Sequence, residues 1–121
     1  MEFRIEMDTD VVICTPVGSL VASEAEEFRE SVGKLLGKKF GNILLDMSRI
    51  DFLDSSGLGA VIAASRQVAA AGGVFACSGL SDATRKLFRM TRADQKLAVA
   101  ETRSDGLLLI QERIRQGGGQ P

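Results

Sequence analysis

The chain has 121 residues, of which 45% are hydrophobic and 26% are charged, a composition typical of one globular domain with a single core. Its 15 basic and 16 acidic residues give a formal net charge of −1, so charge gives no reason to expect nucleic acid or an anionic membrane as a partner. The chain has no histidine, which excludes a Ser-His-Asp triad and histidine-ligated metal sites. We therefore expect a binding protein that is not an enzyme and uses no cofactor.

The N-terminus and the cysteines indicate where such a protein resides. The opening MEFRIEMD is acidic and alternating, unlike a signal peptide, and no apolar run approaches the roughly 20 residues of a membrane helix. Cys14 and Cys77 lie in apolar, strand-like runs without the spacing of a disulfide framework, which predicts buried, reduced thiols. These features predict a cytoplasmic protein without a membrane span.

The first half of the chain begins with two strands. FRIEM (3–7) alternates strictly and predicts a half-buried edge strand, and VVICTPV predicts its antiparallel partner after a short turn. Ser23 and Glu26 have the spacing of a capping box that opens the first helix. NILLDM (42–47) predicts a buried strand. The predicted apolar stripe of the first helix is Ala25, Phe28, Val32, Leu35 and Leu36.

The second half alternates between helix and strand. FLDSSGLGAV (52–61) opens a helix that we expect to end near Ala71, before Gly72 and Gly73. VFACS (74–78) and LAVAE (97–101) are the remaining strands. We expect Ser81 and Ser104 to cap the third and fourth helices. Met47 and Met90 are predicted as core fillers.

This order of elements predicts the fold class. Strands and helices follow one another as β-β-α-β-α-β-α-β-α, which indicates an α/β fold with a mixed, mainly parallel five-stranded sheet, an antiparallel N-terminal edge strand and four helices. Residues 1–116 are predicted to form this single domain, and 117–121 a flexible, Gly-rich tail. Nothing in the sequence requires more than a monomer.

Two serines stand in the DSSG turn (54–57), and helical spacing distinguishes them. At about 100° per residue, Ser56 lies nearly opposite the expected buried face, in line with Ala60 and Ala63, whereas Ser55 projects closer to the core. Ser56 is therefore the serine that another protein can reach. The expected buried face of this helix consists of Leu58, Val61, Ile62, Ser65 and Ala69.

An exposed serine at a helix start has two interpretations. Asp, Ser and Gly in this position commonly form only a helix cap. A phosphate on Ser56 would instead add roughly −1.5 to −2 charges at the head of an outward stripe of small residues, Gly59, Ala60 and Ala63. Such a dianion would repel an acidic partner or impose a desolvation cost, which makes a switch at an interface.

The same stretch carries a family resemblance. IDFLDSSGLGAV resembles the signature of bacterial anti-sigma factor antagonists of the STAS-domain family, and the likeness extends to GSL after the second strand, ILLDMSRIDFLDSSGLGAV and GGVFACSGLSDATRKLFRMT. The resemblance implies the STAS fold. It also implies that the unphosphorylated protein binds an anti-sigma factor that is itself a serine kinase, that ATP-dependent phosphorylation at Ser56 releases it, and that a serine phosphatase resets it.

The resemblance assigns roles to individual residues. Ser56 is implied as the phosphate acceptor, and Asp54 as the residue that helps to position it and the kinase. Relatives usually carry an acid directly after the GSL segment, where this chain has Val21, a departure that bears on phosphorylation or on the choice of kinase. The implied partner-binding residues are Val21, Asp54, Ser55, Ser56, Gly57, Leu58, Gly59, Ala60 and Ala63.

Alternatives remain open on the sequence alone. Val21 favours a STAS subunit with a constitutive scaffold or transporter-associated role in which the serine is only structural. A small flavodoxin-like enzyme or nucleotide binder is disfavoured, because the chain lacks a phosphate loop and has Ile62 where a dinucleotide fingerprint needs its third glycine. A basic cluster formed by Arg85, Lys86, Arg89 and Arg92 indicates either a solvated face or steering of an acidic partner.

Overall fold

The computed structural model describes residues 1–117, so of the predicted tail 117–121 all but Gly117 lies outside the described residues. The strands and helices follow in the order β1 (Glu2–Asp8), β2 (Val11–Leu20), α1 (Ala22–Gly37), β3 (Ile43–Asp46), β4 (Ile50–Leu53), α2 (Ser55–Ala70), β5 (Phe75–Ser78), α3 (Asp82–Thr91), β6 (Ala98–Ala100) and α4 (Arg103–Arg115), with a short 3-10 turn at Ala93–Gln95 before β6.

The main sheet has the predicted architecture. Its five strands lie in the order β1-β2-β3-β5-β6, with β1 antiparallel to β2 and the other pairs parallel. A two-residue turn at Thr9 and Asp10 joins β1 to β2, and each parallel pair is joined through a helix. The α/β fold with an antiparallel N-terminal edge strand and four helices is therefore confirmed.

One strand was not predicted. After β3 the chain turns and runs on as β4, which pairs in parallel with the last residues of β2, beyond the stretch of β2 that pairs with β3. The register of β2 shifts between Gly18 and Ser19, where Gly18 has a φ of +113° that favours glycine. Because β4 runs along the end of β2, it delivers α2 close to the start of α1.

Helices cover the two faces of the sheet unequally. One core cluster joins buried residues of α1, α2 and α3 to one face, including Phe28, Val61 and Phe88, while Ile110 of α4 packs with Ile13 and other residues on the opposite face. The predicted stripe of α1 is confirmed, because Ala25, Phe28 and Val32 are buried and Leu35 and Leu36 pack against the cluster. No helix within residues 1–117 combines the length and the apolar character required to cross a bilayer.

Buried cysteines and methionine complete this core. Cys14 and Cys77 are free and buried, as predicted, and burial raises the pKa of each thiol to about 12. A thiol with such a pKa is protonated and unreactive at neutral pH. Met47 is buried as expected, whereas the expectation for Met90 is wrong, because 73% of this residue is exposed on α3.

Two of the three predicted helix caps are wrong. Ser81 does cap α3, since its hydroxyl oxygen accepts from the Thr84 N–H at 3.1 Å. For α4 the cap is Thr102, two residues before the predicted Ser104. Helix α1 begins at Ala22 and has Val21 in the cap position with no side-chain cap bond, so the predicted Ser23 capping box does not form.

A buried carboxylate ties α4 to the sheet. The Arg103 guanidinium donates to Asp46 Oδ2 at 2.8 Å and 3.0 Å, and it also donates to Glu6 Oε2 at 2.8 Å and to Thr15 Oγ1 at 3.3 Å. Burial raises the pKa of Asp46, but hydrogen bonds from Ser48 and the charge and hydrogen bonds of Arg103 outweigh it, so the net pKa lies below the ordinary value of 3.8.

This network predicts a pH-dependent contribution to stability. Because the pKa of Asp46 is lower in the folded chain, its contribution is present above the unfolded pKa, about 3.9, and is lost as the pH falls through the folded pKa. We expect Asp46→Asn to lower the free energy of unfolding by about 2 kcal/mol at pH 7, less than for a fully buried pair because Arg103 is partly solvated. Urea unfolding at pH 7 and pH 3 measures this difference, which shrinks at the lower pH. An equal difference at both pH values contradicts the assignment, and Asp94→Asn, which changes an exposed carboxylate, serves as the control.

Candidate functional site

The start of α2 lies directly against the end of β2. A Cβ atom on Gly57 would overlap the carbonyl oxygen of Leu20 and would come within 2.8 Å of Leu53 Cδ1. Only glycine permits this approach, because the obstructing atom belongs to the backbone and cannot rotate away. The glycine of the DSSG turn thus brings α2 against the junction between β2 and α1.

Asp54 holds the two helix starts together. Its Oδ1 accepts from the Gly57 N–H at 2.8 Å, which caps α2, and its Oδ2 accepts from the Ala22 N–H at 3.2 Å, in the first turn of α1. One carboxylate therefore satisfies backbone donors at two helix N-termini, where the helix dipoles also favour its negative charge. The bond from Asp54 gives the first turn of α1 a side-chain acceptor, which the predicted Ser23 cap was expected to provide.

Both serines of the DSSG turn are exposed. Ser55 is the first residue of α2 and Ser56 the second. The exposure of Ser56 was predicted, and Ser55, which was expected to project closer to the core than Ser56, is exposed as well. Within residues 1–117 neither hydroxyl makes a hydrogen bond to another protein group, because Asp54 performs the capping. The Ser56 hydroxyl thus has no structural role in the described part of the chain.

The buried face of α2 differs from the predicted one. Val61 and Leu58 are buried as expected, but Ile62 and Ser65 are half-buried and Ala69 is exposed, while Ala60 on the supposed outward stripe is fully buried. The reason is that α2 packs on α1 as well as on the sheet, so its buried arc is wider than a single stripe. The buried residues of α2 are Gly57, Leu58, Ala60, Val61, Ala64 and Val68.

Because the buried arc of α2 is wider than predicted, the predicted partner-binding residues fall into a buried group and an accessible group. Gly57, Leu58 and Ala60 are buried and present no side chain to a partner, so the outward stripe is corrected at Ala60. The remaining predicted residues are accessible, and a partner-binding role for them stays a prediction. These are the exposed Ser55 and Ser56 and the half-buried Val21, Asp54, Gly59 and Ala63.

Val21 stands beside the DSSG turn. It follows Leu20, whose carbonyl oxygen contacts Gly57, and it precedes Ala22, whose N–H is bonded to Asp54. Val21, the position at which the family resemblance implies an acid in relatives, therefore lies between two residues that contact the turn. In this chain an apolar, half-buried side chain occupies it.

An apolar groove lies next to the turn, between β4 and α3. It has a volume of about 360 Å³, and Phe52 and Met90, which are 59% and 73% exposed, line it together with Leu87. Sequence reasoning missed Phe52, because burial in β4 does not alternate and only the end residues Ile50 and Leu53 are buried. The residues of this β4–α3 groove are Asp51, Phe52, Leu53, Asp54, Ser81, Ala83, Thr84, Lys86, Leu87 and Met90.

Charges of both signs surround the turn and the groove. Asp51 and Asp54 lie on the side of the turn, and Lys86 of the basic cluster lies on the α3 side. Arg85 and Arg89 line a separate hollow on α3 instead. Lys86 is thus the member of the cluster that lines the same groove as Asp54 of the DSSG turn.

The sequence has recognisable relatives. The STAS domain family model matches residues 2–106. A Thermotoga neapolitana protein, a homologue of TM1081 named as an anti-sigma factor antagonist, is 29% identical over 112 residues that cover 92% of this chain and 99% of that protein.

Solved structures share the fold. The crystal structure of the Thermotoga maritima protein TM1081 superposes with a TM-score of 0.84 at 24% identity and covers 90% of this chain and 94% of its own. Bacillus SpoIIAA in its phosphorylated form gives a TM-score of 0.68 at 24% identity, with 90% and 99% covered. The murine anion transporter Slc26a9 gives a TM-score of 0.75 at 22% identity, but this chain corresponds to only 18% of that protein. With the family model matching nearly its whole length, the chain belongs to the STAS domain family and resembles the anti-sigma factor antagonists in sequence.

Proposed function

We propose that this protein is an anti-sigma factor antagonist that binds an anti-sigma factor kinase while Ser56 is unmodified and is released when Ser56 is phosphorylated. The observation that carries the proposal is that Ser56 is exposed at the head of α2 while Asp54 performs the capping. A modification of Ser56 therefore changes the surface without removing a bond that holds the fold.

The chemistry of the switch is phosphoryl transfer. The kinase transfers the γ-phosphoryl group of ATP to Ser56 Oγ, which forms a phosphoester and leaves ADP, and a serine phosphatase hydrolyses the ester to reset the protein. At the helix N-terminus the dianion gains about 0.3–1 kcal/mol, and the nearby Asp51 and Asp54 oppose it. Because these effects nearly cancel, phosphorylation leaves the fold intact and acts on the partner. The protein itself is proposed to bind in the cytoplasm and to catalyse nothing.

The β4–α3 groove extends the proposed docking surface. Phe52 and Met90 expose apolar area that a partner can bury, and the groove wall ends at Asp54, two residues before Ser56. A partner seated on Ser56 and in the groove would thus cover both an apolar anchor and the phosphorylation site. Exposed aromatic residues of this kind commonly contribute a large share of binding energy.

A substitution in the groove tests this surface. We expect Phe52→Ala to weaken kinase binding at least tenfold, while unfolding stability changes by less than about 0.5 kcal/mol because the side chain is largely solvated. Isothermal titration calorimetry measures the affinity. Leu108→Ala on α4, where the side chain is 62% exposed, is the matched control and leaves affinity unchanged. Equal losses from both variants contradict a groove-specific contact.

Affinity isolation tests the proposed function as a whole. The tagged chain is used as bait in a lysate of the native cell, with and without Mg²⁺ and ATP, and captured proteins are identified by mass spectrometry. We expect an anti-sigma factor kinase to be retained without ATP and released with it, and Ser56→Ala to retain it in both conditions. Capture of a kinase that ATP fails to release from the wild-type chain contradicts the proposal.

Val21 favours a second candidate function. The resemblance implies an acid at this position in relatives, whereas this chain has the apolar Val21 between Leu20 and Ala22, the two residues that contact the DSSG turn. A constitutive scaffold or a transporter-associated subunit would not need that acid. This alternative predicts that partner binding is the same for the wild-type chain and for Ser56→Asp.

A further inference from the structure

Strand β1 presents a free sheet edge. It is seven residues long, pairs with β2 on one side and, within residues 1–117, has no strand on the other. Two of its apolar side chains are exposed, with 47% of Ile5 and 54% of Met7 accessible, whereas Phe3 packs against Phe28 of α1. The edge strand predicted from sequence is confirmed, but it is less buried than its alternation indicates.

The backbone direction of β1 follows from that of β2. The Val12 N–H donates to the Asn42 carbonyl oxygen at 2.8 Å, toward β3, so Val12 and its β1 partner Met7 form a non-hydrogen-bonded pair of the antiparallel ladder. The N–H and C=O of Met7 therefore point to the free edge. Since these pairs alternate along the ladder, the backbone groups of Ile5 and Phe3 point there too.

A second copy of β1 fits this edge in one register that uses the whole strand. Two antiparallel copies related by a two-fold axis at Ile5 place Ile5 opposite Ile5 and Phe3 opposite Met7, with the outward N–H and C=O groups facing each other. A shift by one residue would bring inward-pointing groups to the contact and reverse the faces. The register centred on Ile5 therefore satisfies the free backbone groups and covers the exposed apolar side chains.

The charges of β1 are complementary in the same register. Arg4 lies opposite Glu6 of the second copy, and the symmetry repeats this pair, so opposite charges flank Ile5 on both sides. Arg103 of the same chain already bonds Glu6 Oε2 at 2.8 Å, so Arg4 of the second copy would join that ion pair as a second cation. At the two ends Glu2 faces Asp8, a repulsion that the bond of 3.0 Å between Arg4 and Glu2 moderates. Charged residues usually protect a free edge from pairing, but here their order favours pairing with an identical strand.

We propose that β1 is a homodimer interface, in which two copies of this chain join their sheets through antiparallel β1 strands centred on Ile5. The surface is distinct from the DSSG turn, and its occupant is a second copy because the strand is complementary to itself in both hydrogen bonding and charge. The sheet then continues across the two-fold axis.

Disulfide trapping tests the register directly. In this dimer the two Ile5 Cα atoms lie about 5.5 Å apart, within the range that a disulfide spans, whereas the two Met7 Cα atoms lie roughly 13 Å apart. Under mild oxidation we expect Ile5→Cys to form a covalent dimer and the matched control Met7→Cys to stay uncrosslinked. The native thiols do not compete, because both are buried with a pKa of about 12. Equal crosslinking of the two variants, or none in either, overturns the proposal.

Sedimentation analysis of the full chain tests the dimer without crosslinking. We expect a concentration-dependent dimer whose dissociation constant rises at least tenfold in Ile5→Lys, which places two ammonium groups opposite each other. Leu108→Lys makes the same change at an exposed residue of α4 and leaves the dimer intact. Both variants should melt close to the wild type, since both side chains are solvated. Two results overturn the proposal. The first is a chain that stays monomeric at about 1 mM, because a dimer is unpopulated there only if its Kd is well above 1 mM. The second is a dimer whose dissociation constant is the same in Ile5→Lys as in the wild type.

Discussion

Gly57→Ala is expected to be the most destabilising single-methyl change in the DSSG turn. The added Cβ overlaps the Leu20 carbonyl oxygen and approaches Leu53 Cδ1 to 2.8 Å, so α2 must move away from β2. Forced overpacking of this kind costs about 3 kcal/mol, which lowers the melting temperature of a domain of this size by roughly 10 °C. Because the movement also displaces Asp54, its bond to the Ala22 N–H is weakened, and partner binding is lost together with stability.

Gly59→Ala provides the control for this change. It adds the same methyl group two residues later in the same helix, where a Cβ meets nothing within 4 Å. Alanine is the better helix former, so Gly59→Ala should raise stability by up to about 1 kcal/mol. Thermal unfolding followed by circular dichroism compares the two variants. Similar melting temperatures for both would show that the contact between α2 and the end of β2 is not tight.

Ser56→Asp is expected to abolish most kinase binding while the fold is retained. The new carboxylate has to lose its hydration beneath the partner, and like-charge or unpaired contacts of this kind cost several kcal/mol. We expect the dissociation constant to rise about 100-fold, which corresponds to about 2.7 kcal/mol. The helix N-terminus favours the added charge and Asp54 opposes it, so the melting temperature stays within a few degrees of the wild-type value. Surface plasmon resonance with the purified kinase measures the affinity.

Ser104→Asp makes the same substitution in an equivalent local setting. Ser104 is exposed and is the second residue of α4, as Ser56 is of α2, and each helix is capped by the residue two positions earlier, Thr102 or Asp54. We expect Ser104→Asp to leave kinase affinity unchanged. If Ser56→Asp binds as tightly as Ser104→Asp, the constitutive scaffold becomes the better explanation. If Ser56→Asp unfolds the chain, the interface explanation fails.

Much of the fold follows from local patterns. Alternation and apolar runs mark the five main strands, and helical spacing marks the four helices, because each pattern reports which side of an element is buried. Strand β4 could not be predicted in this way, because its burial neither alternates nor forms a continuous apolar run. Only Ile50 and Leu53, at the two ends of the strand, are buried.

The predicted cap at α4 was wrong by two residues, because the local Thr102 caps the helix instead of Ser104. The predicted cap at α1 was wrong because the side chain that bonds its first turn comes from elsewhere in the chain. The bond from Asp54 to the Ala22 N–H spans 32 residues.

The site was predictable only in part, because contacts between elements distant in the chain decide which of its residues are exposed. Ser56 was expected to be exposed, and it is, since a residue at the head of a helix has few neighbours. Ala60 was placed on the wrong face because the second helix packed against α2 is a tertiary contact that spacing within α2 does not report. The exposure of Phe52 and Met90 depends on how β4 and α3 meet, which likewise belongs to the assembled fold.

Site-resolved mass spectrometry tests the central claim most directly. The wild-type chain is incubated with the kinase recovered from the native cell and Mg²⁺-ATP, and the phosphorylated residue is located by fragmentation of its peptides. We expect one phosphate per chain, on Ser56, with Ser55 and Ser104 unmodified and with dissociation of the complex as the phosphate is added. Phosphate on Ser55 instead, or a complex that persists in ATP with Ser56 unmodified, would contradict a switch at the head of α2.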